Sequence, residues 1–248
     1  MSRTKSFFKT SNPVINEKAF QKSVGTLVQG GETMTVSGAV NKTLFLTAIL
    51  LLTTVYSYVN PNPILMWGGL IGGFIVVLIS VFKPQYSNIT APIYAALEGF
   101  FIGGLSIAYA SIYNGIIFQA VSITMAILFV MLFLYKSRII KVTKSFRTGV
   151  IMATGAVALV YVVSMVLGMF GIPVPFLHQG GMIGIGISLV IIGIASMNLL
   201  LDFDNFEKGE QYGAPIYMEW FSAMGLLITL VWLYLEILRL ISMLSGRN

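Results

Sequence analysis

The chain has 248 residues, of which 56% are hydrophobic and 10% charged, and its mean hydropathy is +0.87. So little polar surface cannot coat a soluble globule of this size, which leaves an integral membrane protein. The net charge of +6 does not point to nucleic acid, because Lys and Arg sit in short hydrophilic segments between apolar runs, where they encode topology. With no cysteine, disulfides, thiol chemistry and cysteine-ligated metals are excluded.

Residues Met1 to Asn41 are polar, carry Arg3, Lys5, Lys9, Lys18 and Lys22, and are broken by Pro13, Gly25, Gly30 and Gly31. No short apolar run with a small-residue cleavage site follows, so this is not a signal peptide. Residues 1–42 read as a flexible basic cytoplasmic tail, with a short surface helix from Glu17 to Val28, and residues 43–248 as the transmembrane domain.

Seven apolar runs follow, each of spanning length for a hydrocarbon core of about 30 Å. They are Thr43 to Val59, Ile64 to Phe82, Ala91 to Tyr113, Ile116 to Tyr135, Thr148 to Phe170, Gly181 to Leu201 and Tyr217 to Leu244. The expected fold is an all-α membrane protein of seven transmembrane helices. Its turns are short, so the first six spans read as three antiparallel hairpins. With a cytoplasmic N-terminus, thirteen of the fifteen Lys and Arg fall on the inner side and the outer loops hold none, as the positive-inside rule requires. Small residues four apart predict close helix approach: Gly68 with Gly72, Gly69 with Gly73, Gly99 with Gly103, Gly180 with Gly184.

Enzyme templates fail. A zinc hydrolase needs several His or carboxylate ligands, but the one His, His178, lies in a loop. No Lys lies mid-span for a Schiff base, there is no GxSxG and no P-loop, and Asp202 with Asp204 cannot supply the facing acids of an intramembrane protease. The expectation is a protein that is not an enzyme and carries no cofactor.

The membrane carboxylates carry the functional reading. Five of the nine acidic residues, Asp202, Asp204, Glu207, Glu210 and Glu219, lie between two apolar spans. Glu98 lies about 10 Å inside a span and cannot face lipid cheaply. By topology Glu98, Asp202, Asp204 and Glu219 can converge in the inner third of the membrane. There they would repel, share protons or recruit a hard cation such as Ca²⁺, with Asp202, Asp204 and Glu219 as candidate metal ligands. The competing reading makes Asp202 and Asp204 an ordinary acidic loop and Glu98 a structural hydrogen-bonding group. Glu236 lies too far along the last span to join them. An internal ion pair with Arg239 at i+3 is favoured over an outer gate. The basic segment Lys136 to Arg147 reads as a short interfacial helix holding anionic lipid heads.

The final span YMEWFSAMGLLITLVWLYLEILRL, the acidic end of the sixth, and the segments SNPVINEKAF, MTVSGAVNKT and APIYAALEGFFIGG resemble the Bax-inhibitor family, in its bacterial YccA-like branch. The resemblance covers essentially the whole chain. It implies helices wrapped around the C-terminal helix and a pH-sensitive Ca²⁺ leak across the bacterial inner membrane. It also implies a pair of Asp, one ending the sixth span and one inside the seventh, as pH sensor and latch. Asp202 or Asp204 matches the first. The second has no counterpart: an ungapped superposition places it near Leu226 or Leu227, with Glu219 two turns earlier on that face and Glu236 reached by a shifted register. Glu98 is then the candidate compensating acid. Control of a membrane-bound protease, through the tail and the basic loop, is the alternative function that the resemblance suggests.

Overall fold

The computed structural model describes residues 32–171 and 181–246. Residues 1–31 of the expected tail, with its helix from Glu17 to Val28, and His178 and Gly180 lie outside them. Among the described residues seven helices are long and apolar enough to cross a membrane: α1 (Val36–Val59), α2 (Pro63–Phe82), α3 (Ser87–Ala110), α4 (Ile116–Lys136), α5 (Lys144–Met169), α6 (Met182–Gln211) and α7 (Tyr217–Ser245). One end of the bundle, here the basal end, holds the start of α1, the α2–α3 and α4–α5 turns and the α6–α7 turn.

α7 carries large apolar side chains on all its faces, with few charged residues among them, and lies at the centre, as such a helix does. It packs on α1, α3, α4 and α6, and 78% of its apolar window is buried, against 11% to 44% for the others. Those outer helices turn their large apolar side chains outward, where hydrocarbon replaces water as the solvent.

α1 and α2 both lie against α3, so the first two spans form a hairpin by connection while packing on a shared neighbour. Glycine decides that geometry. A Cβ at Gly103 would sit 2.7 Å from the Ser57 Cβ on α1, and one at Gly69 would sit 3.0 Å from the Phe101 backbone nitrogen on α3. Two hydroxyls tie the crossings. Ser57 Oγ donates to the Phe100 carbonyl at 2.8 Å, and Ser80 and Thr90 share a hydrogen bond at 2.6 Å.

Three boundaries differ from the hydropathy reading. α1 begins at Val36 because Thr35 caps it, its side chain accepting from the Gly38 N–H. α6 runs ten residues past Leu201 to Gln211, so the expected loop from Asp202 is helical for nearly three turns. Charge ends a hydrophobic run without ending a helix, since Glu and Lys are good helix formers. The helix stops where Gly213 takes a left-handed φ of 61°. The expected interfacial helix over Lys136 to Arg147 is absent. Ser137 caps α4, Arg138 turns left-handed at φ 59°, and Lys144 to Arg147 are the first turn of α5.

Candidate functional site

The acids expected to converge do not form one cluster: Asp202, Asp204 and Glu219 each have partners of their own, and Glu98 lies against α2. Among the described residues no three acidic or His side chains gather as a metal site would need, so Asp202, Asp204 and Glu219 do not form one. The reason is local: neighbouring helices offer a cation or a hydroxyl to Asp202, Asp204 and Glu219 before another carboxylate comes within reach.

Glu219, in the first turn of α7, accepts from the Thr35 N–H at 2.8 Å and the Thr35 hydroxyl at 3.1 Å, and pairs with Lys42 of α1. Gly38 is required beside it, because any Cβ there would overlap the carboxylate. The same turn binds the chain ahead of α1 through backbone. Thr33 bridges to Pro215, Met34 N–H donates to the Ala214 carbonyl at 2.7 Å, and Ile216 N–H donates to the Glu32 carbonyl at 3.2 Å. Glu210 accepts from the Val36 N–H at 3.2 Å. Two glutamates therefore satisfy orphan donors at the start of α1, where the helix dipole also favours them. Residues 32–42 are thus a strap across the α6–α7 turn.

Asp204, buried on α6, is paired by Arg147 of α5 and by Lys208 one turn on at 2.7 Å. Arg147 spends a second donor on Asn205 Oδ1 at 3.0 Å. Glu207 takes Arg138 and the Tyr135 hydroxyl. Asp204 and Glu207 thus act as anchors for α5 and α4.

Glu98, buried on α3, points to α2. A Cβ on Gly73 would lie 3.2 Å from its Oε2, and Tyr94 lies beside it. Its carboxylate makes no hydrogen bond or ion pair with a described residue.

Asp202 is the acid that meets the central helix. Thr229 Oγ1 of α7 donates to its Oδ2 at 2.7 Å, and Gly225 lies one turn earlier on α7, where a Cβ would stand 4.0 Å from its Oδ1. No Lys or Arg among the described residues stands at ion-pair distance from it. Its partner on the central helix is thus a neutral hydroxyl.

Towards the opposite end, Glu236 and Arg239 form the expected ion pair at 3.3 Å. Tyr161 of α5 donates to Glu236 and accepts from Arg239 Nη1 at 2.8 Å, while Arg239 Nη2 donates to Ser188 of α6 at 2.9 Å. Between the two levels, Asn198 Nδ2 of α6 donates to Thr154 Oγ1 of α5 at 2.7 Å.

Together these contacts form a polar seam along α5, α6 and α7: Arg147 with Asp204 and Asn205, Asp202 with Thr229, Asn198 with Thr154, then Tyr161, Glu236, Arg239 and Ser188. Sequence reasoning missed Arg147, Thr154, Tyr161, Asn198, Ser188 and Thr229 as its members. The signal was present in part, since Arg147, Thr154 and Tyr161 recur every seven residues, two helical turns, in an otherwise apolar helix.

Among the described residues, a bundle of seven spanning helices around a buried central helix, with polar contacts between its helices, defines a polytopic membrane protein. Within that class the chain belongs to the Bax inhibitor 1 like family, whose model matches residues 12–246. Nothing among curated proteins or solved structures matches this chain.

Proposed function

We propose that the protein is a cation leak conduit with no enzymatic activity and no cofactor. Ca²⁺ is its cargo, and protonation of Asp202 gates it. The membrane is the bacterial inner membrane, with the basal end, which carries most of the Lys and Arg, in the cytoplasm. The observation that carries the reading is the 2.7 Å contact from Thr229 to Asp202, which joins α6 to the central helix through an acid lacking a cationic partner among the described residues. Ionisable groups kept inside a membrane bundle mark ion and proton routes.

The chemistry follows from donor and acceptor roles. Ionised Asp202 accepts from Thr229 and presents negative charge to a cation in the seam. Protonated Asp202 becomes a donor towards Thr229, whose own proton then turns to the Gly225 carbonyl 3.3 Å away. The charge is lost while the contact between α6 and α7 survives. Gating therefore acts through the charge at Asp202 more than through separation of the two helices.

Ca²⁺ efflux from proteoliposomes over a pH series tests this. Asp202→Asn, which keeps size and hydrogen bonding, should abolish the pH-dependent part of the flux. Thr229→Asp, which installs two facing acids, should steepen it. Purified protein that conducts nothing at any pH refutes the conduit and leaves the alternative, a regulator that binds a membrane protease.

A further inference from the structure

α5 is attached to the bundle differently from its neighbours. Of its 26 residues only Arg147, Val150 and Ser164 are buried, and 11% of its apolar window lies inside the bundle. An apolar face gains little by leaving lipid for protein, because lipid tails are as apolar as leucine. Docking of such a helix depends on close fit and interhelical polar contacts. On α5 those contacts fall on a single stripe, Arg147, Thr154 and Tyr161, which covers about 21 Å.

The stripe is uneven in strength. At the basal end Arg147 is buried in an ion pair with Asp204 and a hydrogen bond to Asn205. Further along, neither member of the stripe is charged: Thr154 takes one hydrogen bond from Asn198 of α6, and Tyr161 donates to Glu236 and accepts from Arg239, both on α7. Beside them the α5–α6 interface opens into an apolar groove of 500 Å³, bordered by Val157, Val160, Ile187 and Ile191. The groove thus opens beside the two members of the stripe that lack an ion pair of their own.

We propose that α5 is the mobile wall of the polar seam: it pivots at Arg147, and its far half swings from α6 and α7 when the Thr154 and Tyr161 contacts break. The consequence for flux rests on the cation-leak reading. The movement itself does not.

The absence of native cysteine allows a clean test. Val157→Cys and Ile191→Cys place one thiol on each side of the groove, outside the polar contacts, for spin labels or a bis-maleimide cross-link in proteoliposomes. Tyr161→Phe and Thr154→Val should each shift the closed-to-open balance about threefold, the change that an average interhelical polar contact of ~0.6 kcal/mol gives. The expected result is a larger long-distance population by double electron–electron resonance and a parallel rise in Ca²⁺ efflux, reversed by cross-linking. An unchanged distance distribution in the double variant overturns the proposal. Efflux that rises equally with the cross-link in place also overturns it, because conduction would then bypass α5. Distances that lengthen while no form of the protein conducts, the unlabelled parent included, support the movement and refute the leak reading.

Discussion

The hydroxyl of Thr229 and the guanidinium of Arg147 show how one side chain sets the role of the acid it meets. Asp204 and Asp202 lie two residues apart on α6, yet the first is an anchor between two cations while the second faces a neutral donor. The anchor has unequal arms. The Arg147 side chain is 11% exposed and that of Lys208 37%, so solvent screens the lysine more effectively. Arg147→Leu should therefore cost about 1–3 kcal/mol by leaving Asp204 and Asn205 short of donors. Lys208→Met should cost no more than about 1 kcal/mol. Thermal unfolding in detergent gives the order directly, and a larger loss in the lysine variant would contradict the assignment. At the basal rim, Lys42→Met removes the cation from the buried Glu219, and the two donors of Thr35 make up only part of that loss.

At the scale of whole helices, glycine and charge divide the bundle into two differently built halves. α1, α2 and α3 touch backbone to backbone, and their stability lies in packing density. Gly103→Val should lower stability by about 1–3 kcal/mol through overpacking against Ser57. Gly68→Ala, with nothing within 4 Å of the added methyl, should be tolerated. Thermal unfolding of the pair separates the two. α5 stands at the other extreme, docked by three polar side chains and little else. Hydropathy marked the existence of all seven helices because a span needs a long apolar run. It misplaced the end of α6 because leaving the membrane and leaving the helix are separate events.

For the molecule as a whole, the strap at residues 32–42 joins the start of the chain to the turn between its last two helices. Removal of residues 1–31 leaves every described strap contact in place, so melting temperature and flux should hold. Removal of residues 1–36 deletes the Thr33 bridge and the Thr35 cap, and frees Glu210 and Glu219 from their N–H donors. Stability should then fall measurably in the same unfolding assay. If removing 1–31 alone abolishes function while stability holds, the tail is a docking element and the interaction reading gains.

The sequence by itself determined that this is a membrane protein and that it has seven spans; of the paired glycines it picked out, Gly69, Gly99 and Gly103 do meet a neighbouring helix, while Gly68 faces open space. It also determined that Glu236 and Arg239 pair, since an i+3 ion pair lies within one helix and needs no other. These are properties of single segments, and hydropathy, spacing and charge record them directly. Only the tertiary structure decided that Asp202, Asp204, Glu219 and Glu98 stand in separate places, because Asp202, Asp204 and Glu219 each take a partner from another helix while Glu98 faces α2. Whether two groups at equal depth meet depends on the rotation of each helix about its axis. That angle is set by packing around α7 and by contacts such as Thr229 to Asp202 and Tyr161 to Glu236, which join residues far apart in the chain.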